Sequence, residues 1–334
     1  MRFIIYGAGG IGGTIGARLH LTGHDVLLIA RGAHLDALRT DGMRFITATR
    51  DERLRIPAVG HPREADIGDD DVVLLCVKGQ QTEDALRVLY DVAGDDVPVV
   101  CAQNGVVNER IALRRFRRVY GMVVYLPGEH MEPGEIVNTA EDPAGILDVG
   151  CYPSGLDDTA VAVARAITDA GCSALPDPAI MRWKYAKLLA NVGNALQAAC
   201  ETMTGEIMRM LRNEALACYE AADIDCATVE ETRARRATGI RMAPVPGRAR
   251  HGGSSWQSIR RGTGNIEADY LNGEIVQLGR LHGVPTPGNL VMQHIGNRLA
   301  REGLPVGSYT VEELTELIEK ERERAERADG AATP

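Results

Sequence analysis

The chain of 334 residues has no excess of positive charge: 37 Lys and Arg stand against 46 Asp and Glu, a formal net charge of -9. General nucleic-acid binding, which relies on basic patches that neutralise phosphates, is therefore not expected. Any anionic ligand must find its positive charge locally. The seven cysteines are odd in number and form no C-x-x-C pair. Cys76, Cys101, Cys172 and Cys200 lie within apolar runs and read as small core residues, so neither a disulfide framework nor a zinc site is expected. This usage fits a reducing cytoplasm. No apolar run is long enough to span a bilayer, and no basic-then-apolar leader opens the chain. No internal repeat is visible. What remains is an ordinary globular composition, 45% hydrophobic and 25% charged, in a chain long enough for about two domains.

The pattern begins as β-α-β. Arg2 to Tyr6 is a short apolar run, followed by glycines from Gly7 to Gly13, a helical stretch from Thr14 to Leu21, and a second strand-like run from Asp25 to Ala30. That order implies a parallel sheet. Asp71 to Val77 is almost continuously apolar, as a strand buried on both faces should be, and Val97 to Ala102 and Val119 to Tyr125 read the same way. Glu135 to Gly150 resembles hairpin strands, and Thr159 to Ala170 a helix. Beyond Ile180 the strand signal nearly vanishes, and long helices are expected at 180–200, 205–226, 254–261 and 266–282. The switch near Pro176 and Pro178 divides the chain into an α/β domain with a parallel sheet, 1–176, and a helical domain, 177–327. The Glu- and Arg-rich run Val311 to Arg327 reads as an exposed helix, and 328–334 as a disordered tail.

Gly7-Ala8-Gly9-Gly10-Ile11-Gly12 is a G-x-G-x-x-G sequence that follows a strand and opens a helix, the context that gives the motif its meaning. Gly7 permits the tight turn, Gly9 lets the backbone approach a pyrophosphate, and Gly12 lets helix and strand pack closely. The alternative is a glycine-rich turn without a ligand. In NAD-preferring domains a carboxylate at the end of the second strand binds the ribose hydroxyls. Here that strand ends Ile29-Ala30-Arg31. A permanently charged guanidinium there suits the 2′-phosphate of NADPH, unless Arg31 is only a solvated surface residue.

Lys78 and Asn104 each follow a strand, where open α/β sheets bind their ligands, so each is a candidate contact to cofactor or substrate or else an ordinary loop residue. In the helical half, Lys187 and Asn191 lie four apart on one face of an apolar helix. Partial burial there would lower the lysine pKa and suit it to act as general acid toward a carbonyl oxygen. The bland alternative is a lysine that reaches water, and Lys184, one turn earlier, competes for the role. Ser254 and Ser255 open a helix, where a serine commonly caps. Glu267 offers a hydrogen-bond acceptor for a substrate hydroxyl or the lysine ammonium, or else a carboxylate favoured at a helix start.

With these residues in order, the chain resembles the ketopantoate reductases, which reduce 2-dehydropantoate (ketopantoate) to pantoate with NADPH. The resemblance runs from the glycine loop through Arg31, Lys78, Gln103-Asn104-Gly105, Lys187-Leu-x-x-Asn191, Ser254-Ser255 and Glu267-x-Asp269-x-x-Asn272-Gly273 to about Asn289. It implies a Rossmann domain followed by an all-α domain of the 6-phosphogluconate-dehydrogenase-like kind, with the site in the cleft between them. It implies Lys187 as general acid with Glu267 beside it, and Asn104, Asn191 and Ser255 around the substrate. Lys78, Asn104 and Glu267 would also serve the cofactor. The implied partner is a small keto acid, and a homodimer stays an open alternative.

Three departures fall on the substrate side. Tyr185 stands where the family often has Trp, with Trp183 two residues earlier. The family's second asparagine position holds Ala195, and Asn194 comes one residue early, which on a continuous helix rotates the side chain by about 100°. An Arg-rich stretch from Arg233 to Arg250 precedes His251-Gly252-Gly253 and reads as a lid, an interface or a loop. The competing functional readings are the same chemistry on another 2-keto acid or ketone, and a non-catalytic NADP-binding regulator.

Overall fold

In the computed structural model, which describes residues 1–248 and 252–331, the opening apolar run forms β1 (Arg2–Tyr6). The glycine loop leads into α1 (Gly10–Leu21), followed by β2 (Val26–Ile29) and α2 (Gly32–Thr40). Next come β3 (Met43–Ile46), β4 (Asp51–Leu54), β5 (Ala58–Val59), β6 (Asp71–Leu75), α3 (Thr82–Ala93), β7 (Val99–Cys101), α4 (Asn108–Leu113) and β8 (Val119–Met122). The next stretch holds β9 (Gly128–Glu129), β10 (Glu135–Asn138), β11 (Ala140–Glu141), β12 (Val149–Cys151) and α5 (Asp158–Asp169). Then follow α6 (Ile180–Asn191), α7 (Asn194–Cys200), α8 (Gly205–Ala221), α9 (Val229–Gly239), β13 (Arg241–Met242), α10 (Ser254–Arg260), α11 (Ala268–His282), α12 (Pro287–Glu302) and α13 (Val311–Ala331).

The chain condenses into two units, one of Met1–Lys184 with Ala227–Arg250, the other of Tyr185–Cys226 with His251–Pro334. In the first, the main sheet runs β12-β8-β7-β6-β1-β2-β5, parallel except for the antiparallel edge strand β12. Alternate residues of β1 enter opposite cores: Phe3 and Ile5 join the face that α1 covers, Ile4 the face with Leu86 and Leu89 of α3. Strand order reverses at β1, so β1 and β6 flank the crevice where a doubly wound sheet receives its ligand. This is the expected Rossmann arrangement.

Local patterning missed several pieces. A second sheet, β4-β3-β10-β9, packs on α1; β10 runs parallel to β3 rather than closing a hairpin within 135–150. Its strands have only two to four residues, too few for a periodic signal. The Arg-rich stretch forms α9 and then β13, and β13 pairs antiparallel with β11, returning the chain to the first unit. Arg235 on α9 donates to the buried Asp148 at 2.6 and 2.9 Å, and Arg236 lies over the Tyr125 ring. Residues 233–248 are therefore built into the Rossmann unit, and 249–251 lie outside the described residues. The division of the chain thus differs from a single cut at 176/177.

Glu231 links this segment to α6. It accepts two hydrogen bonds from Arg182, and with Thr228 it completes a capping box at the start of α9. Those donors, Arg182 first, hold its carboxyl down at about 2. A depressed carboxylate contributes stability above the ordinary glutamate pKa and loses it as pH falls toward the folded value. The thermal midpoint of Glu231→Gln is expected to lie below wild type at neutral pH, by a small margin for so exposed a pair, with the gap closing between about pH 4.5 and 2. A gap that is constant with pH would show that Glu231 acts only by packing.

The second unit is a helical bundle. Leu196, Leu211, Ile275, Met292 and Leu299 are buried at its centre, contributed by α7, α8, α11 and α12. α13 is not wholly exposed: Leu314 and Ile318, four apart on one face, are buried where it packs against α12. It extends to Ala331, and of the expected disordered tail, 332–334 lie outside the described residues. Among the described residues no helix is long and apolar enough to cross a membrane.

Candidate active site

In the Rossmann unit the glycine loop has the geometry its motif requires. Gly7 has φ of +106°, and a Cβ there would meet Val77 N at 2.8 Å. A Cβ at Gly12 would collide with the Gly7 carbonyl and sit 2.8 Å from Ile5. By contrast, a Cβ at Gly9 would meet no protein atom within 4 Å, so the backbone there is open to close approach by a diphosphate. No side chain caps α1 and no acidic residue lies in its first turn. Its first N–H groups and the positive end of its dipole therefore suit an anion. Cys76 lies behind the loop, partly buried against the core, and burial pushes its thiol up to about 12.

Arg31 leaves the end of β2 exposed, as the N-cap residue of α2, and α2 likewise has no acidic residue in its first turn. His34, two residues past the start of α2, was not legible as a loop support. Its Nδ1 accepts the Gly134 N–H at 2.9 Å, which leaves the proton on Nε2 to donate to the Ala8 carbonyl at 2.8 Å. His34 thereby ties the glycine loop to the second sheet's β9–β10 connection.

Lys78 follows β6, and Asn104 follows β7, on the carboxyl edge of the sheet. The two loops are joined through Gln103, whose side chain donates to the Val77 carbonyl at 2.7 Å and to Thr82 Oγ1 at 2.8 Å. Lys184 belongs to this region. Its ammonium lies 2.5 Å from Glu109 Oε1 and donates to the carbonyls of Gln103, Cys101 and Met122 at 2.9, 3.3 and 3.3 Å. Lys184 is 3% exposed and Glu109 0%. Burial pushes the Glu109 carboxyl up, and the neighbouring ammonium opposes that shift. Four acceptors for three N–H donors leave Lys184 nothing to offer a substrate, which removes it as the rival of Lys187.

In the helical unit, Lys187 is half-buried and Asn191 buried, four residues apart on α6. Asn191 Oδ1 is buried and accepts no hydrogen bond among the described residues. The single helix expected over 180–200 is broken: α6 stops at Asn191 and α7 starts at Asn194. The carbonyl of Val192, at the break, is taken by Asn272 Nδ2 at 2.9 Å, and Asn272 is held in turn by Asn289. The break resets the helical phase, so the one-residue shift no longer implies a 100° rotation. Ala195 faces the bundle interior beside Gly296. Asn194 is buried on the side of Gly253, where the Gly253 N–H donates to Gln197 Oε1 at 2.7 Å.

The serines differ from the capping expectation. Gly253 is the N-cap of α10, and Ser254 Oγ instead donates to Glu267 Oε2 at 3.2 Å. Glu267 is the N-cap residue of α11, yet its side chain caps nothing there. Ser255 is buried beside this pair in sequence. Tyr185, in the family's Trp position, packs edge-on against Tyr219 at 5.3 Å, while the Trp183 indole N–H donates to Asp177 at 2.8 Å. The structure thus gathers Asn194, Gln197, Gly253, Ser254 and Glu267 in one unit, and the glycine loop, Lys78 and Asn104 in the other.

Comparison with known proteins bears on the family and the fold. Residues 3–154 match the family described as ketopantoate reductase PanE/ApbA, and residues 179–299 match its C-terminal family. A 2-dehydropantoate 2-reductase of Archaeoglobus fulgidus is 30% identical over 291 residues, covering 85% of this chain and 92% of that protein. The crystal structure of a PanE/ApbA family ketopantoate reductase from Ralstonia eutropha JMP134 superposes with a TM-score of 0.76 at 26% identity, covering 91% of this chain and 99% of that one. A D-mandelate dehydrogenase with NADH and anilino(oxo)acetate shares the fold at the same TM-score, 0.76, and 21% identity, with coverage of 91% and 99%.

Proposed function

The chain belongs to the ketopantoate reductase family, and from that premise we propose that it is an NADPH-dependent reductase of a 2-keto acid, with 2-dehydropantoate as the substrate. One observation carries the reading above the others: the family match spans both halves of the chain, the glycine loop and the polar helical cluster alike. The open backbone at Gly9 and the uncapped start of α1 fit a dinucleotide diphosphate, and Arg31 fits the 2′-phosphate. When bound, NADPH supplies the hydride that reduces the keto carbon.

The chain's own groups then deal with the oxygen. Charge builds on the carbonyl oxygen as the carbon is reduced. Lys187 stabilises that charge and donates the proton, an electrostatic task worth several kcal/mol where water is scarce. Glu267, held by Ser254, accepts from a substrate hydroxyl or from the lysine ammonium. Asn104, Asn191 and Ser255 orient the substrate, and the unsatisfied Asn191 Oδ1 is suited to accept a hydrogen bond from a hydroxyl. Lys78 provides positive charge at the cofactor loop.

Purified protein given NADPH and 2-dehydropantoate is expected to consume the nicotinamide absorbance. Tight NADPH binding with no turnover of 2-dehydropantoate removes that substrate and sends the search to a panel of branched 2-keto acids. No turnover across the panel leaves the regulatory reading in its place.

A further inference from the structure

We propose that Lys184, Glu109, Gln103, Thr82 and Asn108 form one buried positioning network whose task is to hold the main chain at Asn104 and Lys78. The inference rests on the preceding reading, in which those two loops serve substrate and cofactor.

The bonds form a continuous series. Gln103 Nε2 donates to Thr82 Oγ1, Thr82 Oγ1 donates to Asn108 Oδ1 at 2.8 Å, and Asn108 Nδ2 donates to the Asn104 carbonyl at 3.0 Å. Lys184 takes the carbonyl of Gln103, one residue before. Both carbonyls that flank the Asn104 α-carbon are therefore held by side chains. The Gln103 amide also holds the Val77 carbonyl, which belongs to the peptide leading into Lys78. All five side chains are at least nine-tenths buried. They come from α3, α4, α6 and the loop after β7, so the two site loops are set by one shared structure.

Stability alone gives little reason for an ion pair in this place. Replacing a buried pair by well-packed apolar residues is often neutral or stabilising. What Lys184 supplies, and a methionine cannot, is an ammonium whose donors, shared with Glu109, reach carbonyls on the ends of β7 and β8 and in the following loop. The Gln103 carbonyl lies beyond the end of β7, and without the ammonium it would turn to another partner and take Asn104 with it.

The test separates position from stability. Lys184→Met alone, which strands the Glu109 carboxylate, is expected to lower Tm strongly. The double variant Lys184→Met with Glu109→Leu is expected to recover a Tm near wild type. Its kcat/KM for 2-dehydropantoate is nevertheless expected to fall at least tenfold, and backbone hydrogen exchange at 103–106 to accelerate at least tenfold. Wild-type Tm together with wild-type kcat/KM and exchange in the double variant overturns the proposal. Should the double variant not fold, Thr82→Val and Thr82→Ser decide. Val is expected to lose at least fivefold in kcat/KM and to weaken NADPH binding in a fluorescence titration, while Ser, which keeps the hydroxyl, stays within twofold. Equal activity and equal NADPH binding in the two overturn it. Asn104→Ala is the control for the premise. If that variant is fully active, the site reading fails and the network's purpose with it; if it is impaired while the network variants are not, only the network fails.

Discussion

Lys187→Ala is expected to lower kcat for keto acid reduction by about 10²–10⁴-fold, the usual range for a positioned general acid. The expectation follows from which lysine is left. Lys184 is fully buried and committed to Glu109 and three carbonyls. Lys187, one turn later on α6, is half-buried and shares its face with Asn191. A lysine in the proposed role would act in two ways, by placing charge against the developing alkoxide and by giving up a proton. Lys187→Arg separates them, because a guanidinium keeps the charge but does not release its proton. It should therefore recover only part of the lost rate. Steady-state kinetics of the three proteins at saturating NADPH give the answer. A Lys187→Ala protein with raised KM and intact kcat would show uniform binding rather than transition-state work, and the general-acid assignment would fall.

The second large effect concerns the cofactor. Arg31→Ala is expected to weaken NADPH binding by about 10- to 100-fold, the equivalent of one charged hydrogen-bonded contact of about 1.5–3 kcal/mol, and to leave NADH nearly unchanged. Arg31 stands where an acidic residue would select NADH, on an exposed helix cap with no carboxylate in the turn that follows. The fold alone does not set the nucleotide, since a D-mandelate dehydrogenase of the same architecture is known with NADH. Arg31→Asp extends the test by supplying the ribose acceptor, and should reverse the preference. Fluorescence titration with both nucleotides reads the result, and the NADPH difference should shrink with added salt because the site is exposed. Equal losses for both nucleotides would mean that Arg31 does not meet the phosphate.

Much of the nucleotide side was legible because it depends on neighbours in sequence. A strand, a glycine loop and a helix start lie within about a dozen residues, and Gly7, Gly9 and Gly12 each have a reason that local backbone geometry supplies. Arg31 was readable for the same reason, two residues past the end of β2. The helical side was readable only as types of residue in an order. Whether Asn194 was misplaced turned on the break after Asn191, where the Val192 carbonyl is taken by Asn272, 80 residues away. Ser254 read as a helix cap until its acceptor proved to be Glu267.

By itself, then, the order of residues determined the Rossmann half, its glycine loop and a guanidinium just past the second strand, since each rests on short-range turn, strand and helix-start chemistry. Only tertiary structure decided which of two lysines is buried in an ion pair, where the Arg-rich segment goes, and what holds Asn104. Those outcomes join residues up to about a hundred apart, as Lys184 with Gln103 and β13 with β11. Burial makes such polar pairs obligatory once formed, and no local pattern in the chain announces the partner.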